Sequence, residues 1–249
     1  GSRGLGDVYK RQKEQDTAWM KYVEACTIES KATTEPADIK IEVARGGEYK
    51  IRLEDGTTVW LNSESSLIYP EKFTGDKRAV RLSGEGYFEV ARDEKKPFIV
   101  SVTDMEIKVL GTKFNVTAYQ DEKMTTTTLI SGAVEVVTPH RSVQLQPGKQ
   151  AMVQEGGDDI TVLEVDVELA TSWTAGIFKF DKMALTDICT RLSRWYDIDF
   201  VFEGETGKEK FTGGTWKYVP LKDFLSKIER VTNVLFLFEN NTVKVVPKK

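Results

Sequence analysis

IKIEV (39–43), EYKIRL (48–53) and TVWLN (58–62) follow one another closely, and each alternates apolar and polar residues. A period of two puts one side of a pleated strand on a core and the other in water. Between the second and third runs stands Glu54-Asp55-Gly56-Thr57. An Asp-Gly pair between alternating runs is a strong hairpin signal, because a type I′ turn needs positive φ at both central positions. The stretch therefore predicts antiparallel strands joined by tight turns. The same grammar recurs at VRLSGEGYFEV (80–90), LISGAVEVV (129–137) and VQLQPGKQAMV (143–153), each read as strand, glycine turn, strand. FIVSV (98–102) and EIKVLGTKFNVTAY (106–119) supply further strands, and the threonines at 125–128 suit a half-exposed one. About ten to twelve strands and no helix are expected over 39–167, as a sandwich, a jelly roll or an irregular β-helix.

After Val167 the period changes. ELATSWTAG (168–176) reads as a packed connector and IFKFDK (177–182) as a strand. Leu185, Ile188, Cys189, Leu192 and Trp195 or Tyr196 then recur at helical spacing, with Asp181 or Thr186 as the expected cap. IDFVF (198–202) and FTGGTWK (211–217) are strands. Pro220 opens a second helix with Leu221, Phe224, Leu225, Ile228 and Val231 on its buried stripe. VLFLFE (234–239) and TVKVV (242–246) close the chain. The order β-α-β-β-α-β-β predicts a small α/β sandwich with its own core, so the fold class is mainly β plus α+β.

The 249 residues carry a formal net charge of −4, with one histidine and two cysteines. This mild acidity argues against a nucleic-acid partner, which attracts a basic excess. His140, Cys26 and Cys189 are too few and too scattered for a Cys/His zinc site, and no cofactor motif is present. His140 reads as a solvated loop residue, Cys26 as a free thiol and Cys189 as a buried small hydrophobe. No apolar run approaches the ~18–20 residues that span a bilayer. GSRGLGDVYKRQ (1–12) is basic and glycine-rich and lacks the apolar core of a signal peptide. We read it as an artefactual or tag-derived tail, and 13–38 as a tether, frayed helix or extended, with Ala18, Tyr22 and Cys26 on one helical face. One dipeptide has chemical interest. In Gly111-Thr112 a threonine hydroxyl could attack the preceding carbonyl, and glycine removes the side chain that would crowd it; the ordinary reading is a β-bulge or sharp bend.

DGTTVWLNSESSLIYPEKF (55–73), RLSGEGYFEVARDEKKPFIV (81–100), VLGTKFNVTAY (109–119), LISGAVEV (129–136) and LQPGKQAMV (145–153) closely resemble, in order, the core of FecR-like anti-sigma factors. WTAGIFKFDKMALTDICTRLSRWYDIDFVF (173–202) resembles the C-terminal domain that accompanies it. The resemblance spans roughly 45–247 and departs at the front, where the family's sigma-binding helices and membrane span find no match. It implies a non-enzymatic periplasmic sensor region of a single-pass inner-membrane protein in a Gram-negative bacterium. Such a region receives the signalling domain of a TonB-dependent outer-membrane transporter and controls an extracytoplasmic-function sigma factor bound by the absent cytoplasmic part. The implied division is 39–167 for the FecR-like β domain and 168–249 for a signalling-type domain like the short N-terminal domain of secretins and transducers. Some relatives cleave themselves at a Gly-Thr bond, and Gly111-Thr112 matches that position. Edge pairing is a common recognition mode, so the partner is expected to dock on the C-terminal domain by strand addition or helix-groove contact, with FTGGTWK and VKVV (243–246) as candidate edges and Phe211, Trp216, Tyr218, Val243 and Val245 as contact residues. The alternative is a carbohydrate-binding or polysaccharide-processing β protein, suggested by tryptophans and acidic residues on a β scaffold; an appended helix-pair unit argues against it.

Overall fold

The computed structural model describes residues 26–30, 37–103 and 105–248; the expected tail and the helical face of Ala18 and Tyr22 lie outside them. Alternating strands build two sheets around one apolar core. The first sheet runs β1 (Cys26–Ser30), β2 (Asp38–Val43), β5 (Ser65–Pro70), β6 (Arg78–Glu89), β7 (Phe98–Val102), β8 (Met105–Val109), β11 (Val134–Val137) and β12 (Ser142–Leu145). The second runs β3 (Tyr49–Arg52), β4 (Thr58–Leu61), β6 again, β9 (Lys113–Ala118), β10 (Met124–Ser131), β13 (Lys149–Gln154) and β14 (Ile160–Glu164). All neighbours are antiparallel except β6 and β7. The mainly β class is as expected, and the fourteen strands are continuous through β6. β1 falls within the segment read as a tether and extends the first sheet.

β6 explains how one core is closed. Its first half pairs with β5 and β7, and its second half with β4 and β9. The strand therefore passes from one sheet to the other without a turn, which corrects the strand–turn–strand reading of 80–90. The switch occurs at Gly84, whose φ of 90° only glycine adopts easily. A Cβ there would lie 2.4 Å from Ser65 Oγ. Glycine at this point lets the backbone bend and lets β5 approach. Beyond the bend, Phe88 stacks on Phe114 with ring centroids 5.1 Å apart.

Three other local readings are corrected. At Asp55-Gly56 only Gly56 has positive φ. Gly56 N–H donates to Leu53 O, Leu53 N–H donates to Thr57 O, and the Asp55 carboxylate accepts from the Thr57 amide and hydroxyl. That is a type I turn followed by a left-handed glycine, and the strands still pair as a hairpin. The glycine turns in 129–137 and 143–153 join strands of opposite sheets rather than hairpin partners. Thr127 and Thr128 are buried rather than half exposed.

The second unit has the expected order. α1 (Val167–Thr171) and a 3₁₀ turn (Ser172–Ala175) lead into β15 (Ile177–Ala184), α2 (Leu185–Tyr196), β16 (Asp199–Phe202), β17 (Lys210–Trp216), α3 (Leu221–Arg230), β18 (Val234–Glu239) and β19 (Thr242–Pro247). Its five strands split into a β15–β17 pair and a β16–β19–β18 sheet, with β16 parallel to β19. The stripes read from sequence form the core, with Leu185, Ile188, Cys189 and Leu192 meeting Phe224, Leu225 and Ile228; Val231, read onto the second stripe, is instead 74% exposed, because the helix ends at Arg230. Neither Asp181 nor Thr186 caps α2. The Leu185 and Thr186 amides instead donate to the carbonyls of Glu209 and Gly207, so the 203–209 loop satisfies the helix start.

Candidate interaction surface and interdomain joint

The loop 44–48, between β2 and β3, reaches from the first unit to the end of α2. Arg45 donates to the carbonyls of Ser193 (3.0 Å) and Ile198 (2.8 Å), and Gly46 N–H donates to Arg194 O (2.7 Å). A guanidinium suits this place, since the carbonyls at the end of a helix carry its negative end. From α2 itself Arg194 bonds Asp121 (2.7 Å) and Glu122 (2.6 Å) and lies 3.6 Å over the Tyr119 ring. Trp173, from the connector, donates its indole N–H to Asn115 at 3.0 Å and covers the outer face of the second sheet. Behind these, Lys217 meets the Glu48 carboxylate, walled by Trp173, Phe178 and Trp195. Burial pulls the Lys217 ammonium well below its usual range, because no water solvates it there.

Sequence reasoning did not single out Arg45, Glu48, Arg194 or Lys217. A signal was present for the last. Where the extended chain runs on from β17 with Trp216 and Tyr218 facing outward, alternation turns Lys217 inward, and an inward lysine requires an acidic partner. Between the units lies a cleft of about 180 Å³ with Asn62, Glu85, Thr117 and Thr126 on its floor. Glu85 is satisfied there by Asn62, Asn115 and Thr117.

The expected docking residues separate into two groups. Phe211, Trp216 and Tyr218 belong to β17 and the turn after it; β17 pairs only with β15, so its other edge carries no described strand. Trp216 is 61% exposed and Tyr218 57%, while Phe211 packs partly into the core. Val243 and Val245 do not lie on an edge. β19 is the central strand of its sheet and both side chains are fully buried, because strands on each side leave it no free ladder. The outer strand there is β18, and its edge is guarded: the Glu229 carboxylate accepts the outward Phe236 N–H at 2.7 Å. A charge over an edge amide blocks strand addition. At β16, Arg45 already holds Asp199 at 2.9 Å. Among the described residues β17 and β15 each keep one edge without a strand partner, and in β17 Gly213 and Gly214 offer backbone with no side chain to clear.

Gly111 and Thr112 form the corner between β8 and β9. A Cβ on Gly111 would lie 2.7 Å from Arg92 Cα, so the glycine is required by packing. The buried Thr112 hydroxyl donates to Ala133 O at 2.9 Å. His140 is exposed, with Asp158 at 3.6 Å. Cys189 is unpaired and buried, and burial pushes its thiol up. Among the described residues, no group of three or more His, Cys, Asp or Glu could hold a metal, and no helix is long and apolar enough to cross a membrane.

These features define a class: a two-unit, mainly β protein whose smaller unit presents an open sheet edge beside exposed aromatics. Residues 39–135 match the family model of the FecR protein, and 177–245 match that of the FecR C-terminal domain. A crystal structure titled as a "putative anti-sigma factor" from Parabacteroides distasonis ATCC 8503, at 1.65 Å, is similar with a TM-score of 0.79 and 30% identity, covering 84% of this chain and 99% of that one. A second, at 2.50 Å, is similar to the same degree and covers 85% and 100%. No curated protein matches. The chain belongs to the FecR family of anti-sigma factors.

Proposed function

We propose that this chain is the periplasmic sensor region of a transmembrane anti-sigma factor, and that it takes its signal from the signalling domain of a TonB-dependent outer-membrane transporter. The partner adds a strand to β17 and covers Trp216 and Tyr218, and the sigma factor is controlled through a cytoplasmic part of the protein. The open β17 edge carries this reading, since it runs into the exposed aromatics Trp216 and Tyr218. Family membership supports it over a polysaccharide-processing role.

The test is calorimetric titration of the chain with purified transporter signalling domains from the same genome. One domain is expected to bind, and Gly213→Pro or Trp216→Glu should weaken it at least tenfold, as loss of a central aromatic anchor does. Wild-type affinity in both variants would sink the docking site. At Gly111-Thr112 the hydroxyl is engaged with Ala133 O, and we expect a single species of full mass after prolonged incubation. Two fragments meeting at the 111–112 bond would instead make this the processing site.

A further inference from the structure

β17 and the two residues after it present different chemistry to the two sides. Trp216 and Tyr218 face water, and Lys217 between them is 1% exposed. The lysine reaches across to Glu48, at the end of the loop that joins β2 to β3. Apart from this pair, neither Lys217 Nζ nor Glu48 Oε1 has a hydrogen-bond partner. A buried ion pair stabilises little compared with apolar residues of the same volume, but losing one partner is severely destabilising. The two sides also share a wall. Trp195 donates its indole N–H to Lys217 O at 2.6 Å, its ring lies 4.0 Å from the ammonium, and its edge meets Tyr218 with centroids 5.9 Å apart at 75°. Tyr218 packs on the other side against Gly176, the residue whose carbonyl accepts Lys217 N–H.

We propose that this segment is a two-sided switch: Lys217 closed on Glu48 locks the smaller unit to the β domain, and a partner strand that grips Trp216 and Tyr218 draws the segment outward and releases the lock. This rests on β17 as the docking edge. Release would free the 44–48 loop, and with it the β1–β2 edge of the first sheet. Because coupling between two binding events is reciprocal, a broken lock must strengthen docking.

Hydrogen exchange on the whole chain tests the lock without a partner. In Glu48→Gln, the amides of Gly46 and Lys217 should exchange at least about tenfold faster, with Phe88, Phe114 and Leu192 unchanged; unchanged exchange at Gly46 and Lys217 overturns the lock. Should Glu48→Gln lose protection throughout, Tyr218→Ala decides instead. It should speed exchange at Gly46, on the far side of the lock, with the cores intact, and no change at Gly46 overturns the switch. The transporter signalling domain should then bind Glu48→Gln about 5–150-fold tighter than wild type. Equal or weaker affinity overturns the switch while leaving docking in place. No binding to either protein removes the docking reading, and the Tyr218→Ala exchange result then judges the coupling alone.

Discussion

The β sandwich and the smaller unit expose their apolar residues very differently. Among the described residues, the sandwich leaves only Leu110, Val162 and Leu163 as exposed large hydrophobics. The smaller unit leaves Val201, Trp216, Tyr218, Val231, Leu235, Leu237 and Phe238. The cause is topological. β6 runs through both sheets of the sandwich, so one strand closes a single core. The smaller unit splits five strands between two sheets, and each split creates edges. Buried cations divide the same way. Arg78 bonds Asp55 and the carbonyls of Ala91 and Lys96 inside the sandwich, whereas Lys217 bonds across to the other unit. The larger unit closes around its core, and the smaller one leaves strand edges and apolar side chains in water.

The largest effect that bears on this contrast is expected at Arg78. Arg78→Met leaves Asp55 at the hairpin without its cation, and removing one partner of a buried pair costs about 3–5 kcal/mol. Chemical denaturation followed by fluorescence should show the loss. A variant within 1 kcal/mol of wild type (roughly the worth of an exposed pair) would show that Arg78 does not organise the sandwich. Next comes Gly84→Ala, which puts a Cβ against Ser65 at a φ of 90°. Overpacking of this kind costs about 1–3 kcal/mol, with positive φ adding to it. Full stability would mean that β6 can bend without glycine there.

Much of this contrast is readable in the sequence, and the unreadable part has a clear cause. Alternation located the strands, and helical spacing located Leu185, Ile188, Leu192 and the Phe224 stripe, because those signals are local. Partner choice is not local. Nothing within 80–90 tells a glycine at a turn from a glycine where a strand changes sheets; that depends on Ser65 arriving from β5. VKVV has the composition of an edge or a centre, and only β16 and β18 on either side settle it. Among the site residues, Trp216 and Tyr218 stand out as aromatics beside glycines. Glu48 and Lys217 lie far apart in the chain, so their pairing appears only in the fold.

The smallest effects on stability should come from the surface proposed for docking. Trp216→Ser and Tyr218→Ser are expected to leave stability within about 0.5 kcal/mol, as exposed substitutions do, while reducing binding of the signalling domain. A large stability loss for Trp216→Ser would make it a packing residue and erase the contrast.

Tyr196 gives a pH-dependent counterpart inside the smaller unit. Its hydroxyl donates to Val219 O, and burial pushes its pKa up to about 12. The folded state therefore holds this proton above the usual value of 10.0. The contribution is complete below pH 10 and is lost as pH rises towards 12, because the unfolded chain ionises first. Tyr119 at the joint is also pushed up, chiefly by burial, so both tyrosines weaken the fold in the alkaline range. Tyr196→Phe removes one ionisation and should flatten part of the fall in stability between pH 10 and 12, measured by denaturant titration at each pH. If the variant and wild type fall in parallel, Tyr196 is ionising as freely as in the unfolded chain, and its place beneath the β17 turn is not the dry one that the Val219 contact requires.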